Sequence, residues 1–399
     1  MTGDLDLLAP AAVAFIAAAL LSFVLTPAAR RMAQRVKAVD HPDERRVNTT
    51  PVPRGGGVAV GVAFLVVVAA LFVVDATLGL WGPLDALARP EIAALLIGGA
   101  AAVAIGLVDD QFDLRARWQF GGQLLVALIP VGLGITVGAI ANPFGPGAIR
   151  LEGIFGAIFV VVWTVGMINS INFIDGLDGL SSGVALIAAV TLGIISATGV
   201  ATEPVVALVC MVLAGALLGF LRWNFHPASI FIGTSGVMFL GYTLALLSIL
   251  GSAKVVVALL VLGVPIIDTF YIIVRRVSRG RSPFSADRGH IHHRLLDLGL
   301  SHTQTVLVIY AICIGLGVLS LVLSGSGQLY AFLGAFLAFG LVILLLDRVV
   351  EDRADEAPTD GGEPAGSVRP GGERPGGERP GVERPGGESK ADEARPGPS

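Results

Sequence analysis

Long apolar runs alternate with short polar stretches along most of this chain. Counting the runs able to cross about 30 Å of hydrocarbon predicts about eleven transmembrane helices. They fall near residues 7–26, 55–74, 91–108, 121–140, 154–171, 180–199, 204–221, 229–250, 254–273, 305–324 and 328–346. The expected fold class is therefore all-α, a polytopic membrane helix bundle occupying residues 1–350. Beyond that point the pattern ends. Arg369-Pro370-Gly371-Gly372-Glu373 recurs at 374–378, with valine for the second glycine at 379–383, and again at 384–388. A charge-balanced Pro/Gly repeat has nothing to bury, so residues 351–399 read as a disordered tail.

Composition agrees with the pattern. With 54% hydrophobic and 15% charged residues and a mean hydropathy of +0.78, the chain is too apolar for a soluble domain. Acidic Asp4 and Asp6 precede the first run and the basic cluster follows it, which predicts a retained span rather than a cleaved signal peptide. Cys210 and Cys313 sit inside apolar runs and read as small buried hydrophobes, not a disulfide framework or metal site.

The net charge of −4 matters less than where the charges lie. Arg30, Arg31, Arg35, Lys37, Arg45, Arg46 and Arg54 follow the first span, and Arg275, Arg276, Arg279, Arg281, Arg288 and Arg294 follow the ninth. The alternate loops hold only Arg89 and Arg150. The positive-inside rule then places the N-terminus outside and the C-terminus in the cytoplasm of a multi-pass protein of the cell membrane.

That orientation gathers the polar clusters on the cytoplasmic side. The central one, Asn169-Ser170-Ile171-Asn172-Phe173-Ile174-Asp175-Gly176-Leu177-Asp178-Gly179, puts two amides and two carboxylates where a span ends, and ionisable groups at that depth mark function. On a helical turn Asp175 and Asp178 would share one face and one cation. Asp109 and Asp110 abut an apolar run, and their mutual repulsion suits a cation or a proton. Arg54 before three glycines suits an anionic ligand. Asn224 precedes Gly233-Thr234-Ser235-Gly236, where glycines flanking two hydroxyls could cradle a phosphate. His290, His292 and His293, beside Arg288 and Arg294, suit phosphate or nucleotide oxygens better than zinc, because adjacent histidines with no cysteine fit one tetrahedral ion poorly.

Taken together, these residues resemble the polyprenyl-phosphate N-acetylhexosamine-1-phosphate transferase family, closest to its N-acetylglucosamine-1-phosphate branch, over nearly all of residues 1–347. The carriers are Pro53-Arg54-Gly55-Gly56, Asp109-Asp110, the Asn169 to Gly179 motif, Asn224 to Ala228, Pro265 to Asp268, and Asp287 to His293. The resemblance implies transfer of a sugar 1-phosphate from a UDP-sugar to a lipid phosphate at the cytoplasmic face, releasing UMP. It implies Mg²⁺, or Mn²⁺ in its place, held by Asp110, Asp175 and Asp178. Asp109, Asp110, Asp175 and Asp178 would be the catalytic residues, and Arg54, Asn169, Asn172, Asn224, Arg288, His290, His292 and His293 would bind substrate. The partners would be the two substrates and the bilayer, with a homodimer left open and nucleic acid not expected.

Two positions depart from the family's pattern. Thr234 stands where a carboxylate ligand is expected, and Gln119 where a lysine is often found. A hydroxyl binds Mg²⁺ more weakly than a carboxylate. A catalytically impaired binding or regulatory relative is thus one alternative. A secondary transporter is another, though the acids cluster at one face rather than at mid-membrane.

Overall fold

Backbone groups inside a bilayer must be satisfied within their own segment, which makes apolar runs helical. The computed structural model describes residues 8–40, 51–79, 89–142, 147–198, 203–250, 254–280, 282, 289–324 and 326–356. Helix α1 spans Leu8–Arg35 and α2 Gly57–Leu78. Next come α3 at Arg89–Ala93, a π-helical turn at Ala94–Gly98, α4 at Gly99–Phe112 and α5 at Ala116–Gly132. Then follow α6 Ile154–Ile174, α7 Leu180–Thr198, α8 Pro204–Asn224, α9 Gly233–Leu250, α10 Lys254–Val261, α11 Gly263–Ser278, α12 Ile291–Asp297, α13 His302–Val322 and α14 Ser326–Glu356. Two antiparallel hairpins complete the described residues: β1 Val39–Asp40 with β2 Val52–Pro53, and β3 Ala139–Ala141 with β4 Ala148–Arg150.

Among the described residues, eight helices are long and apolar enough to cross a membrane, and a bent pair makes nine. The chain is an all-α multi-pass membrane protein. Helix also stands at the other two predicted spans, but α5 has 17 residues and ends at Gly132, so residues 133–140 are turn and strand rather than span. The predicted span 254–273 is broken: α10 and α11 meet at 80° around Leu262. Pro265 lies in the first turn of α11, where it has no N–H to continue the ladder from α10. Helix α14 runs on to Glu356, and residues 357–399 of the predicted tail lie outside the described residues.

Helices α8 and α9 are buried nearly all round, whereas α1 and α13 expose apolar side chains as a lipid-facing surface would. Small residues let the inner helices close up. Gly215 and Gly219 of α8 lie against the backbone of Phe15 and Ala19 in α1, where a β-carbon would collide. Near the cavity, Gly57 of α2 and Gly106 of α4 both abut the first turn of α9. The segment leading into α2 pairs with the one leading into α9: Phe231 N–H donates to Pro53 O at 2.9 Å, and Gly56 and Gly57 N–H donate to Phe231 O and Ile232 O at 2.9 and 2.8 Å. These pairings fix the starts of α2 and α9 against the end of α4, where the aspartates lie.

Candidate active site

Helix α6 stops at Ile174, and residues 175–179 form a turn before α7. Asp175 and Asp178 therefore sit on a loop, not on the helical turn their spacing suggests. Gly179 adopts a left-handed φ of +77°, and its carbonyl accepts from the Tyr310 hydroxyl of α13. The Asp178 amide donates to His302 Nε2 at 2.9 Å, which ties the turn to α13 a second time. Ser181 at the start of α7 donates to Asp175 Oδ1 at 2.5 Å.

Both aspartates open onto an acidic cavity of about 340 Å³, whose wall also includes Asp40, Arg54, Asp110, Asn172, Asn224, Thr234, His293 and His302. Asp110, buried at the end of α4, accepts Thr234 N–H at 2.6 Å and Ser235 N–H at 3.0 Å. It is the N-terminal cap of α9. The Gly233-Thr234-Ser235-Gly236 turn consequently offers those amides to Asp110 rather than to a phosphate. Gly233 is required there: its φ is +72°, and a β-carbon would lie 2.6 Å from Asp110 Oδ1. Asp109, one residue earlier, points elsewhere. Its oxygens accept Gln119 Nε2–H at 2.9 and 3.0 Å and Leu114 N–H at 3.1 Å, and it does not line the acidic cavity. Gln119, read from the sequence as a missing lysine, is thus the side chain that holds Asp109.

Arg54 faces the cavity with its charge partly met by Asp40, at 2.6 Å from Nε, and by the exposed Asp113 at 3.7 Å. Asn224 lines the wall but uses its amide internally, accepting from Ser182 at 2.6 Å and donating to Ile230 O at 3.0 Å. Burial pushes the Asp175 carboxyl from 3.8 up to about 7. The Ser181 bond and Arg54 oppose that shift, and Asp110 and Asp178 add to it.

A second cavity of about 360 Å³ shares Asn172, Asp175, Gly176 and His293 with the first. Asn169, Phe173, Arg276, His290 and His292 also line it. Asn169 is fixed by donating to Gln123 Oε1 at 2.7 Å and Val165 O at 2.8 Å. Asp268 of α11, which sequence reasoning left without a role, accepts Ile291 N–H at 3.0 Å and pairs with His290 Nδ1 at 2.7 Å. It caps α12 and aims His290 together. His292 lies under Gly176, its Nδ1 buried without a hydrogen-bond partner. Burial first, and the neighbouring imidazoles next, hold His292 well below the usual histidine value, so it is neutral. Arg276 sits over the Phe173 ring at 5.5 Å. An apolar groove between α5, α6 and α11, lined by Leu124, Val161, Val165 and Ile273, meets this cavity at Phe120, Asn169 and Phe173.

Of the residues singled out in the sequence, Arg54, Asn169, Asn172, Asp110, Asp175, Asp178, Asn224, Thr234, His290, His292 and His293 all reach these two joined cavities. Asp109 stands behind them, and Arg288 lies outside the described residues. Asp40, His302 and Arg276 also line these cavities, and His226 and Asp268 contact residues that do, though none of the five was among the candidates read from the sequence. His226 stood inside the quoted stretch between α8 and α9, and its contact with Asp178, 48 residues away, is visible only in the fold.

Residues 92–252 match the model of glycosyl transferase family 4. A probable undecaprenyl-phosphate N-acetylglucosaminyl 1-phosphate transferase of Bacillus subtilis is 35% identical over 340 residues, covering 84% of this chain and 89% of that protein. A decaprenyl-phosphate N-acetylglucosaminephosphotransferase of Mycobacterium tuberculosis is 36% identical over 324 residues, covering 74% and 78%. An undecaprenyl-phosphate alpha-N-acetylglucosaminyl 1-phosphate transferase of Thermotoga maritima is 29% identical over 327 residues, covering 82% and 94%. Identity of this extent along both chains makes the protein a member of glycosyl transferase family 4.

Proposed function

We propose that the chain transfers N-acetylglucosamine 1-phosphate from UDP-N-acetylglucosamine to a polyprenyl phosphate, releasing UMP, as the first step of a cell-envelope polysaccharide. The observation that carries this reading is the junction of three surfaces: a carboxylate-lined cavity, a histidine-lined cavity and an apolar groove open between helices. Diphosphate, nucleotide and polyprenyl chain need those three chemistries. The names of the relatives support the same activity.

Phosphoryl transfer demands position and charge neutralisation more than an activated nucleophile, because the lipid phosphate is already an anion. An oxygen of that phosphate attacks the sugar-bearing phosphorus, and the bond from that phosphorus to the UMP oxygen breaks. The donor set fits a divalent cation, Mg²⁺ or Mn²⁺: Asp110, Asp175 and Asp178 face one cavity, and each carboxylate oxygen that accepts an N–H or O–H keeps a further lone pair. Such a cation would neutralise charge on the diphosphate. Arg54 adds a positive charge on the same wall, His290 and His293 present imidazoles to the nucleotide side, and neutral His292 contributes no charge of its own.

Arg54, in the segment after α1, and Arg276, in the last turn of α11, line these cavities, which supports a cytoplasmic site with the N-terminus outside and the C-terminus inside. Eleven crossings follow if α5, α14 and the bent α10–α11 pair each count as one. Residues 1–350 would carry the reaction, and 351–399 would take no part in it.

The test is direct. Purified protein given UDP-N-acetylglucosamine, polyprenyl phosphate and Mg²⁺ should form UMP and the lipid diphosphate sugar, read by mass spectrometry. Release of free sugar phosphate regardless of lipid, or no product, would contradict the assignment.

A further inference from the structure

At the rim of the acidic cavity, three side chains from three parts of the chain converge. Asp178 comes from the turn after α6, His226 from the loop after α8 and His302 from the first residue of α13. One ligand atom from each lies within 4.8 Å of the other two. Asp178 Oδ2 stands 2.8 Å from His226 Nδ1, the two imidazoles stack at 4.2 Å between centroids, and the Ala228 amide fixes the same Asp178 oxygen at 3.0 Å. The three positions are 48 and 124 residues apart in sequence from Asp178, so local chain geometry does not force the meeting.

We propose that Asp178, His226 and His302 form a site for a divalent transition cation at the mouth of the acidic cavity, sharing Asp178 with the carboxylate cluster. The 2.8 Å between Asp178 Oδ2 and His226 Nδ1 is short enough for both atoms to reach one ion in place of the proton between them. Two imidazoles and one carboxylate are a poor set for Mg²⁺, which takes oxygen ligands, and a good one for Mn²⁺, Co²⁺ or Zn²⁺. The cavity leaves the remaining positions to water or to oxygens of a bound diphosphate. What must be given up is the proton between Asp178 and His226 and one neutral hydrogen bond, that from the Asp178 amide to His302 Nε2.

The same arrangement bears on the expected carboxylate that this chain replaces with Thr234. Thr234 and Asp178 line one cavity, and histidine nitrogens at its rim supply ligands that the threonine hydroxyl does not. The role of such a cation in turnover rests on the transferase reading; its binding does not.

Binding is therefore measured without substrates. The full chain in detergent is titrated with Mn²⁺ alone, and pulsed electron paramagnetic resonance reads coupling of the bound ion to histidine ¹⁴N. The site predicts nitrogen coupling that survives a tenfold excess of Mg²⁺ and weakens by half or more in His226→Gln. The His226 side chain is 41% exposed, so this replacement removes its ring stacking on His302 without opening the core. His302→Gln should weaken it similarly, and Co²⁺ absorption should report the same losses. A Mn²⁺ spectrum free of nitrogen coupling, or coupling unchanged in both variants, would overturn the site. Nitrogen coupling in a protein that forms no lipid diphosphate sugar would uphold the site and overturn the transferase reading instead.

Discussion

In the acidic cavity Asp110 gives both carboxylate oxygens to amides at the start of α9, and in the histidine cavity Asp268 gives one oxygen to the amide starting α12 and the other to His290. Both carboxylates cap a helix N-terminus, where an anion is favoured. They differ in what stands between carboxylate and cavity. Asp110 is itself part of the wall, so its charge adds to those of Asp175 and Asp178. Asp268 is shielded, and what it presents is an oriented imidazole. One helix-capping device thus yields a wall of carboxylates in one half and a wall of nitrogen ligands and donors in the other. The diphosphate-linked nucleotide proposed as substrate would need both.

The sharpest way to break this contrast is to remove charge from the acidic half. Asp175→Asn should lower UMP exchange by about 10³-fold with the protein still folded in detergent, since a preorganised group facing transition-state charge is lost. Less than a tenfold loss would remove Asp175 from the reacting centre. In the histidine half, Asp268→Asn keeps an acceptor for the Ile291 amide but not for His290. Loss of such an orienting partner costs about 10–100-fold, and it should appear as a raised KM for the UDP-sugar more than as a lowered kcat.

The two halves should also differ in pH response. Asp175 is raised from 3.8 to about 7, so below pH 7 it binds a proton that a cation must displace. Cation affinity should fall about fivefold from pH 7 to pH 6 and level off above pH 8. His292 is depressed and stays neutral through that range, so its half contributes no matching step from that residue. Isothermal titration of Mg²⁺ against pH, beside Asp175→Asn, reads both. The smallest effect belongs to a residue behind the cavities. Gln119→Lys replaces a hydrogen-bonded clamp on Asp109 with an ion pair and should change exchange by no more than about threefold.

Much of this was legible in the sequence, and the exceptions have physical causes. Apolar runs announced the helices because a bilayer leaves the backbone few other choices. The Asn169 to Gly179 motif pointed to the cavities it lines because ionisable groups at a span's end are costly. The break at Leu262 was hidden inside an unbroken apolar run, with Gly263 and Pro265 its local signals. Spacing suggested a shared helical face for Asp175 and Asp178, but Gly176 and Gly179 permitted a turn instead. Asp268 gave no hint of its partner, because the pairing with His290 exists only once α11 and α12 pack together. His226 and His302 escaped notice for the same reason.

The central claim is that the side chains present around the acidic cavity are sufficient for cation-dependent transfer although Thr234 replaces an expected acid. Exchange of radiolabelled UMP into UDP-N-acetylglucosamine by the purified protein with polyprenyl phosphate, with and without Mg²⁺ and beside Thr234→Asp, tests it most directly. The account predicts cation-dependent exchange by the unmodified chain, with Thr234→Asp changing it little. No exchange by the unmodified chain, with activity appearing only in Thr234→Asp, would contradict it.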